Sequence, residues 1–184
     1  MKNLSIIISL IWLLLFTASC SLFQAATSSI DPATGFPVGS APPSSAGYIL
    51  DDRLQRIKLS DLDGRPFTLE VLGGKPVFLN FWATWCGPCI SEMRSIEEAY
   101  KQYKEEVVFL AVSTETPEQI KAFQDKHDYS FQFARLDVEY VDAFVVKLPT
   151  TMLITRDGKM QYEEEGFRVW TQYNNLEKIK EIAY

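Results

Sequence analysis

The 184-residue sequence predicts an α/β sandwich built on a mixed sheet with helices on both faces. Three observations predict it. Two short apolar runs of the buried-strand type, Val77 to Trp82 and Val107 to Val112, flank a stretch with helical periodicity. Two Asp-Gly turns, at Asp63-Gly64 and Asp157-Gly158, each separate a pair of strand-like segments. The chain closes on an amphipathic segment marked by Leu176, Ile179 and Ile182. A strand–helix–strand unit followed by a hairpin and a helix fits such a sandwich.

In chain order, the N-terminus comes first. Lys2 precedes a stretch from Asn3 to Ile30 without a charged residue, and Leu4 to Phe16 is nearly all apolar. This is the charged start and apolar centre of an export signal. Thr17, Ala18 and Ser19 then lead to Cys20, which resembles a bacterial lipoprotein signal whose cysteine becomes the lipidated first residue of the mature chain. Thr17 stands where that motif usually has an aliphatic residue. An uncleaved anchor over Leu4 to Phe23, about 20 residues and long enough to span a bilayer, is the competing reading, and plain secretion is a third. All three put the remainder outside the cytoplasm. The expected division is 1–19 signal, 20–47 lipid-anchored linker and 48–184 folded domain.

The linker reading rests on composition. Between Gln24 and Gly47, nineteen of 24 residues are Ala, Ser, Thr, Gly or Pro, too little apolar surface to offset the entropy of ordering them. A flexible chain of that length reaches about 30 Å.

Within the domain, Ile57 to Leu59 and Phe67 to Val71 read as a small N-terminal hairpin ended by Gly73-Gly74. Ile90, Met93, Ile96, Tyr100 and Tyr103 mark the inner face of a helix between the two buried strands. Thr116-Pro117-Glu118-Gln119 supplies an N-cap, a proline in the first turn and a capping-box Gln for a second helix, whose inner face is Ile120 and Phe123. Phe131 to Phe133 is a short strand, and Thr151 to Thr155 pairs with Met160 to Glu164 as a hairpin. His127 is expected on a solvated helix end.

Composition removes several function classes. With 18 Lys+Arg against 24 Asp+Glu the net charge is −6, which argues against a nucleic-acid footprint. Aromatic residues at 13% supply a real core, so the chain is not an acidic disordered one. Three cysteines are too few for a disulfide-stapled miniprotein, and a single histidine leaves no room for a histidine-based metal site. No metal or cofactor is expected.

The chemistry points to Trp85-Cys86-Gly87-Pro88-Cys89, which joins a buried strand to the start of a helix. Two intervening residues let the sulfurs meet while Cys86 sits at the helix N-terminus. There, unpaired N–H groups and the helix dipole favour an anion, and a thiol pKa of about 8.5 can fall to about 7. Cys86 is therefore the attacking sulfur and Cys89, one turn inside, the resolving one. A structural disulfide is a poor alternative, because so small a loop contributes little chain-entropy stabilisation.

These residues, with Gly74-Lys75-Pro76, the strand Val77 to Trp82, Glu92, Leu148-Pro149-Thr150 and Asp157-Gly158, resemble the thioredoxin superfamily, specifically its TlpA/ResA-like thiol–disulfide oxidoreductases. The resemblance covers about Asp61 to Gly166. It implies a thioredoxin-like three-layer sandwich and makes Pro149 a cis-proline facing the disulfide. It also makes Leu148 a backbone contact for substrate and Trp85 a border of the exposed sulfur, with Gly87 and Pro88 beside it. Asn80 stands where thioredoxin has a buried aspartate, so the resemblance passes the proton-handling role to Glu92. Arg94 stands where the family usually has a helix-bending proline.

The expected function is an extracytoplasmic, membrane-anchored, monomeric thiol–disulfide oxidoreductase, reducing disulfides of exported proteins with electrons from a membrane-embedded thiol reductase. Two alternatives compete. One is a thioredoxin-fold peroxidase, which would carry a Thr-x-x-Cys pattern; the other is a metal-chaperone-like binding module, which would carry a CxxxC pair and a well-placed histidine.

Overall fold

The computed structural model describes residues 50–184 apart from residue 73. The expected signal, the linker with Cys20 and the first two residues of the domain lie outside the described residues. Seven strands and three α-helices follow in order: β1 (Leu59–Ser60), β2 (Pro66–Phe67), β3 (Val77–Phe81), α1 (Gly87–Tyr103), β4 (Val108–Ser113), α2 (Pro117–Gln124), β5 (Gln132–Leu136), β6 (Thr150–Ile154), β7 (Met160–Glu165) and α3 (Tyr173–Ala183). Single 3-10 turns occupy Leu54–Arg56 and Leu69–Leu72.

The strands form one mixed sheet in the order β2-β1-β5-β4-β3-β6-β7. β3, β4 and β5 run parallel, as strand–helix–strand crossovers require. β6 lies antiparallel to β3, with Phe81 opposite Thr150 and Asn80 opposite Thr151, and β7 returns antiparallel to β6. At the other side β1 joins β5 antiparallel and carries β2 as its outer partner. The N-terminal hairpin thus covers an edge that would otherwise expose unpaired backbone.

Its arms are shorter than expected. The first strand begins only at Leu59, and Leu69–Leu72 is a 3-10 turn, leaving two residues in each strand. Of the apolar residues expected in those arms, Ile57 and Leu69 are instead buried against the sheet as part of a lid, together with the flanking Leu54 and Leu72. β5 runs three residues further than expected because parallel pairing with β4 extends it. His127 is also corrected: it is half-buried, stacked 4.0 Å from the Phe123 ring, with its Nδ1 2.8 Å from the Phe123 carbonyl.

The period-2 alternation of β3 divides its side chains between two cores. Val77, Leu79 and Phe81 face one side with Leu110, Val112, Met152 and Ile154, beneath the 3-10 turns and the buried Ala143 and Val145. Phe78 faces the other side and, with Phe109 and Leu153, packs on Met93 and Ile96 of α1 and Ile179 and Ile182 of α3. Phe78 stacks on Phe109 at 4.7 Å and meets the edge of Trp170 at the same separation. Asn80 projects to this second, apolar side while 1% exposed. A buried amide there needs partners.

Candidate active site

The loop after β3 is held before the cysteines begin. The Trp82 N–H bonds to Val112 O at 3.1 Å, and the Cys86 N–H closes a turn onto Ala83 O at 3.0 Å. The Glu115 carboxylate accepts the Thr84 N–H at 2.7 Å, together with the hydroxyls of Thr84 and Ser113. The Tyr140 hydroxyl donates to Trp82 O at 2.6 Å.

Cys86 caps α1, and its Sγ accepts the Cys89 N–H at 3.3 Å. Pro88 lies in the first turn, where a missing N–H costs nothing. The helix then buries Cys89, Met93, Ile96 and Ala99 on one face, and it includes Glu92 among them. No proline interrupts it: Arg94 points outward towards Glu98, at 3.5 Å, and α1 runs unbroken to Tyr103.

Cys86 and Cys89 form a disulfide with their Cα atoms 5.3 Å apart. The two sulfurs differ in access. Cys89 is fully buried in the core, whereas Cys86 lines a groove of about 440 Å³ with Trp85, Gly87, Pro88 and Leu148. Trp85 is 72% exposed, far too open for a packing role. The Leu148–Pro149 peptide is cis, and the Leu148 main chain makes no hydrogen bond within the described residues. The Pro149 carbonyl accepts the Gly166 N–H at 2.7 Å, which ties this loop to the segment after β7. Gly166 has φ +78°, a conformation that suits glycine.

Behind the disulfide lies Glu92, 1% exposed. Its Oε1 accepts from Asn80 Nδ2 at 2.8 Å and its Oε2 from the Arg168 N–H at 3.0 Å. Burial pushes its pKa up to about 7, against the pull of the Arg168 N–H, the Asn80 amide and the Arg168 charge. Asn80 Nδ2 also bonds to Thr151 Oγ1 at 2.9 Å, while Asn80 Oδ1 is buried without a partner. An amide can present N–H to a carboxylate and, turned over, C=O to a carboxylic acid. Asn80 thus cannot carry a proton but can match either state of Glu92.

The structure brings together Trp85, Cys86, Gly87, Pro88 and Leu148 around one groove, with Cys89 and Glu92 on the inward face of the same helix. Sequence reasoning missed Tyr140, Val145, Val146 and Lys147 in the groove wall, and the Arg168 N–H on Glu92. Proximity to Pro149 in the chain could have flagged the residues just before it. Nothing local to Tyr140 or Arg168 could have done so.

Among known proteins, residues 50–163 match the AhpC/TSA family. A thiol-disulfide oxidoreductase ResA from Bacillus thuringiensis subsp. konkukian (strain 97-27) is 40% identical over 127 residues, covering 66% of this chain and 73% of the relative. A crystal structure from Chlorobium tepidum, described as a DsbE-type thiol:disulfide interchange protein, superposes with a TM-score of 0.62 at 25% identity, over 69% of this chain and 92% of its own. The exposed lipoprotein thioredoxin Etrx1 of Streptococcus pneumoniae strain TIGR4 gives a TM-score of 0.57 at 25% identity, over 67% of this chain and 97% of its own.

Proposed function

Because this chain belongs to the thioredoxin-like AhpC/TSA family and is a thiol–disulfide oxidoreductase, we propose that it works outside the cytoplasm, tethered to a membrane, and reduces disulfides of exported proteins. The observation that carries this reading is the asymmetry of the pair: Cys86 opens on a groove while Cys89 is sealed in the core.

In the reduced protein the Cys86 thiolate attacks one sulfur of a substrate disulfide. A Cys86–substrate bond forms, the substrate S–S bond breaks, and the departing sulfur leaves as a thiolate. Cys89 then attacks Cys86 Sγ, which regenerates the Cys86–Cys89 bond and releases the second substrate thiolate. Two electrons pass to the substrate, and a membrane-embedded thiol reductase returns them as a dithiol. The helix N-terminus favours the Cys86 anion in the first step. In the second step Cys89 loses its proton where water is excluded. Glu92, three residues along the same helix face and titrating near neutrality, accepts it. Leu148 offers its free main chain to the substrate beside Pro149, and Trp85, Gly87 and Pro88 form the rim.

The tether is Cys20, lipidated at the head of the linker 20–47, which lets the domain 48–184 reach substrates some distance from the membrane. The apolar N-terminal run and the likeness to an exposed lipoprotein thioredoxin support it. Among the described residues no helix is long and apolar enough to cross a membrane. A peroxidase and a metal-chaperone module are weaker readings, because the relatives are named for disulfide chemistry. Reduction of insulin disulfides by the wild-type protein with a recycled reductant tests the proposal. Activity must vanish in Cys86→Ser; peroxide turnover without insulin reduction would overturn it.

A further inference from the structure

Phe144 is the described non-glycine residue with a left-handed backbone, φ +61°. It closes the turn after β5, its N–H bonding to Val141 O at 3.0 Å and the Val145 N–H bonding to Tyr140 O at 2.8 Å. Glycine ordinarily takes this position, because a side chain there crowds the neighbouring carbonyl. The strain is not offset by burial, since the ring is 43% exposed. Instead the guanidinium groups of Arg53 and Arg56 each lie 5.2 Å from its centroid. Arg53 is committed to Glu163 by two bonds, at 2.9 and 3.0 Å. Arg56 is exposed and pairs with no carboxylate among the described residues.

The ring directly precedes Val145 and Val146 in the groove wall, and Pro149 is five residues on, at most about 17 Å of chain. We propose that Arg56, its guanidinium lying over the Phe144 ring, is a specificity site that takes an acidic side chain of the protein substrate a few residues from its disulfide. This rests on the reading of the groove at Cys86 as the docking surface for protein disulfides. Charge complementarity selects the occupant: a guanidinium pre-positioned on a ring face and lacking an anion matches a carboxylate. The net charge of −6 repels acidic segments at long range, so a preference for them has to arise locally.

The test compares the full chain with its Arg56→Glu and Phe144→Gly variants at about 0.15 M salt, where exposed charges beyond about 8 Å are screened. Substrates are two disulfide-bonded peptides differing in a single Glu or Lys three to five residues from the cysteine, with uncharged hydroxyethyl disulfide alongside. Wild type should favour the Glu peptide in kcat/KM by about two- to fivefold, the range of an exposed ion pair. Arg56→Glu should invert the ratio, and Phe144→Gly, which relieves the backbone while removing the platform, should bring it towards one. An equal ratio in wild type and Arg56→Glu overturns the inference while leaving the oxidoreductase reading intact. Failure to reduce any of the three disulfides overturns both.

Discussion

Glu92→Gln separates the consequences of burying a carboxyl beside the disulfide. Burial raises the Glu92 pKa from 4.5 to about 7, and each unit corresponds to about 1.4 kcal/mol, so the shift amounts to about 3 kcal/mol. The folded carboxyl keeps its proton up to about pH 7, whereas the unfolded one releases it near 4.5. The stability it confers is therefore complete below pH 4.5 and is lost as the pH rises through 7. Glutamine does not titrate. It fits the same site, because turning the Asn80 amide sets the unpartnered Oδ1 against the new N–H₂ and lets the Thr151 hydroxyl donate. Urea denaturation of the oxidised protein should thus show wild type losing about 3 kcal/mol relative to Glu92→Gln between pH 4.5 and 8. In the reduced protein the same change should slow release of a mixed disulfide by about ten- to a hundredfold at pH 7 to 8, since the base is gone. Alkylation of Cys86 should change far less. A stability difference that is flat with pH would refute the burial argument, and an unchanged release rate would return Glu92 to a structural role.

Other outcomes follow from the geometry. Graded-pH alkylation of the reduced protein should modify Cys86 before Cys89, because only Cys86 combines groove access with the helix N-terminus; equal rates would reverse the role assignment. Mass spectrometry of the membrane fraction should show Cys20 modified and, in Cys20→Ser, a larger unprocessed chain. Thr116→Ala should cost about 1 kcal/mol in urea unfolding, because it removes the reciprocal cap in which Thr116 Oγ1 accepts the Gln119 N–H. Phe78→Ala should cost about 3 to 5 kcal/mol by the same measurement, as it empties a fully buried site between Phe109 and Trp170.

The sequence by itself determined whatever depends on neighbours within a turn or a strand. The buried run of β3, the cap and periodicity of α1, the two-residue spacing of Cys86 and Cys89, and the Thr116–Gln119 capping box are all short-range, and each stands in the structure as the local pattern dictates. The resemblance carried the cis peptide before Pro149, for which composition and spacing held no signal. Tertiary structure alone decided what joins residues far apart in the chain. Glu92 meets Asn80 from 12 residues away and the Arg168 N–H from 76, Tyr140 reaches Trp82 across 58, and Arg53 reaches Glu163 across 110. The hairpin arms shortened because Ile57 and Leu69 gain more by covering the sheet face, beside Leu54 and Leu72, than by lengthening an edge pair of strands. The left-handed Phe144 violates local propensity outright, and two guanidinium groups from far along the chain, those of Arg53 and Arg56, lie over its ring. Hydrogen bonds within a turn can be read from spacing. The pKa of Glu92 cannot, because it is set by how completely the folded chain removes water from around it.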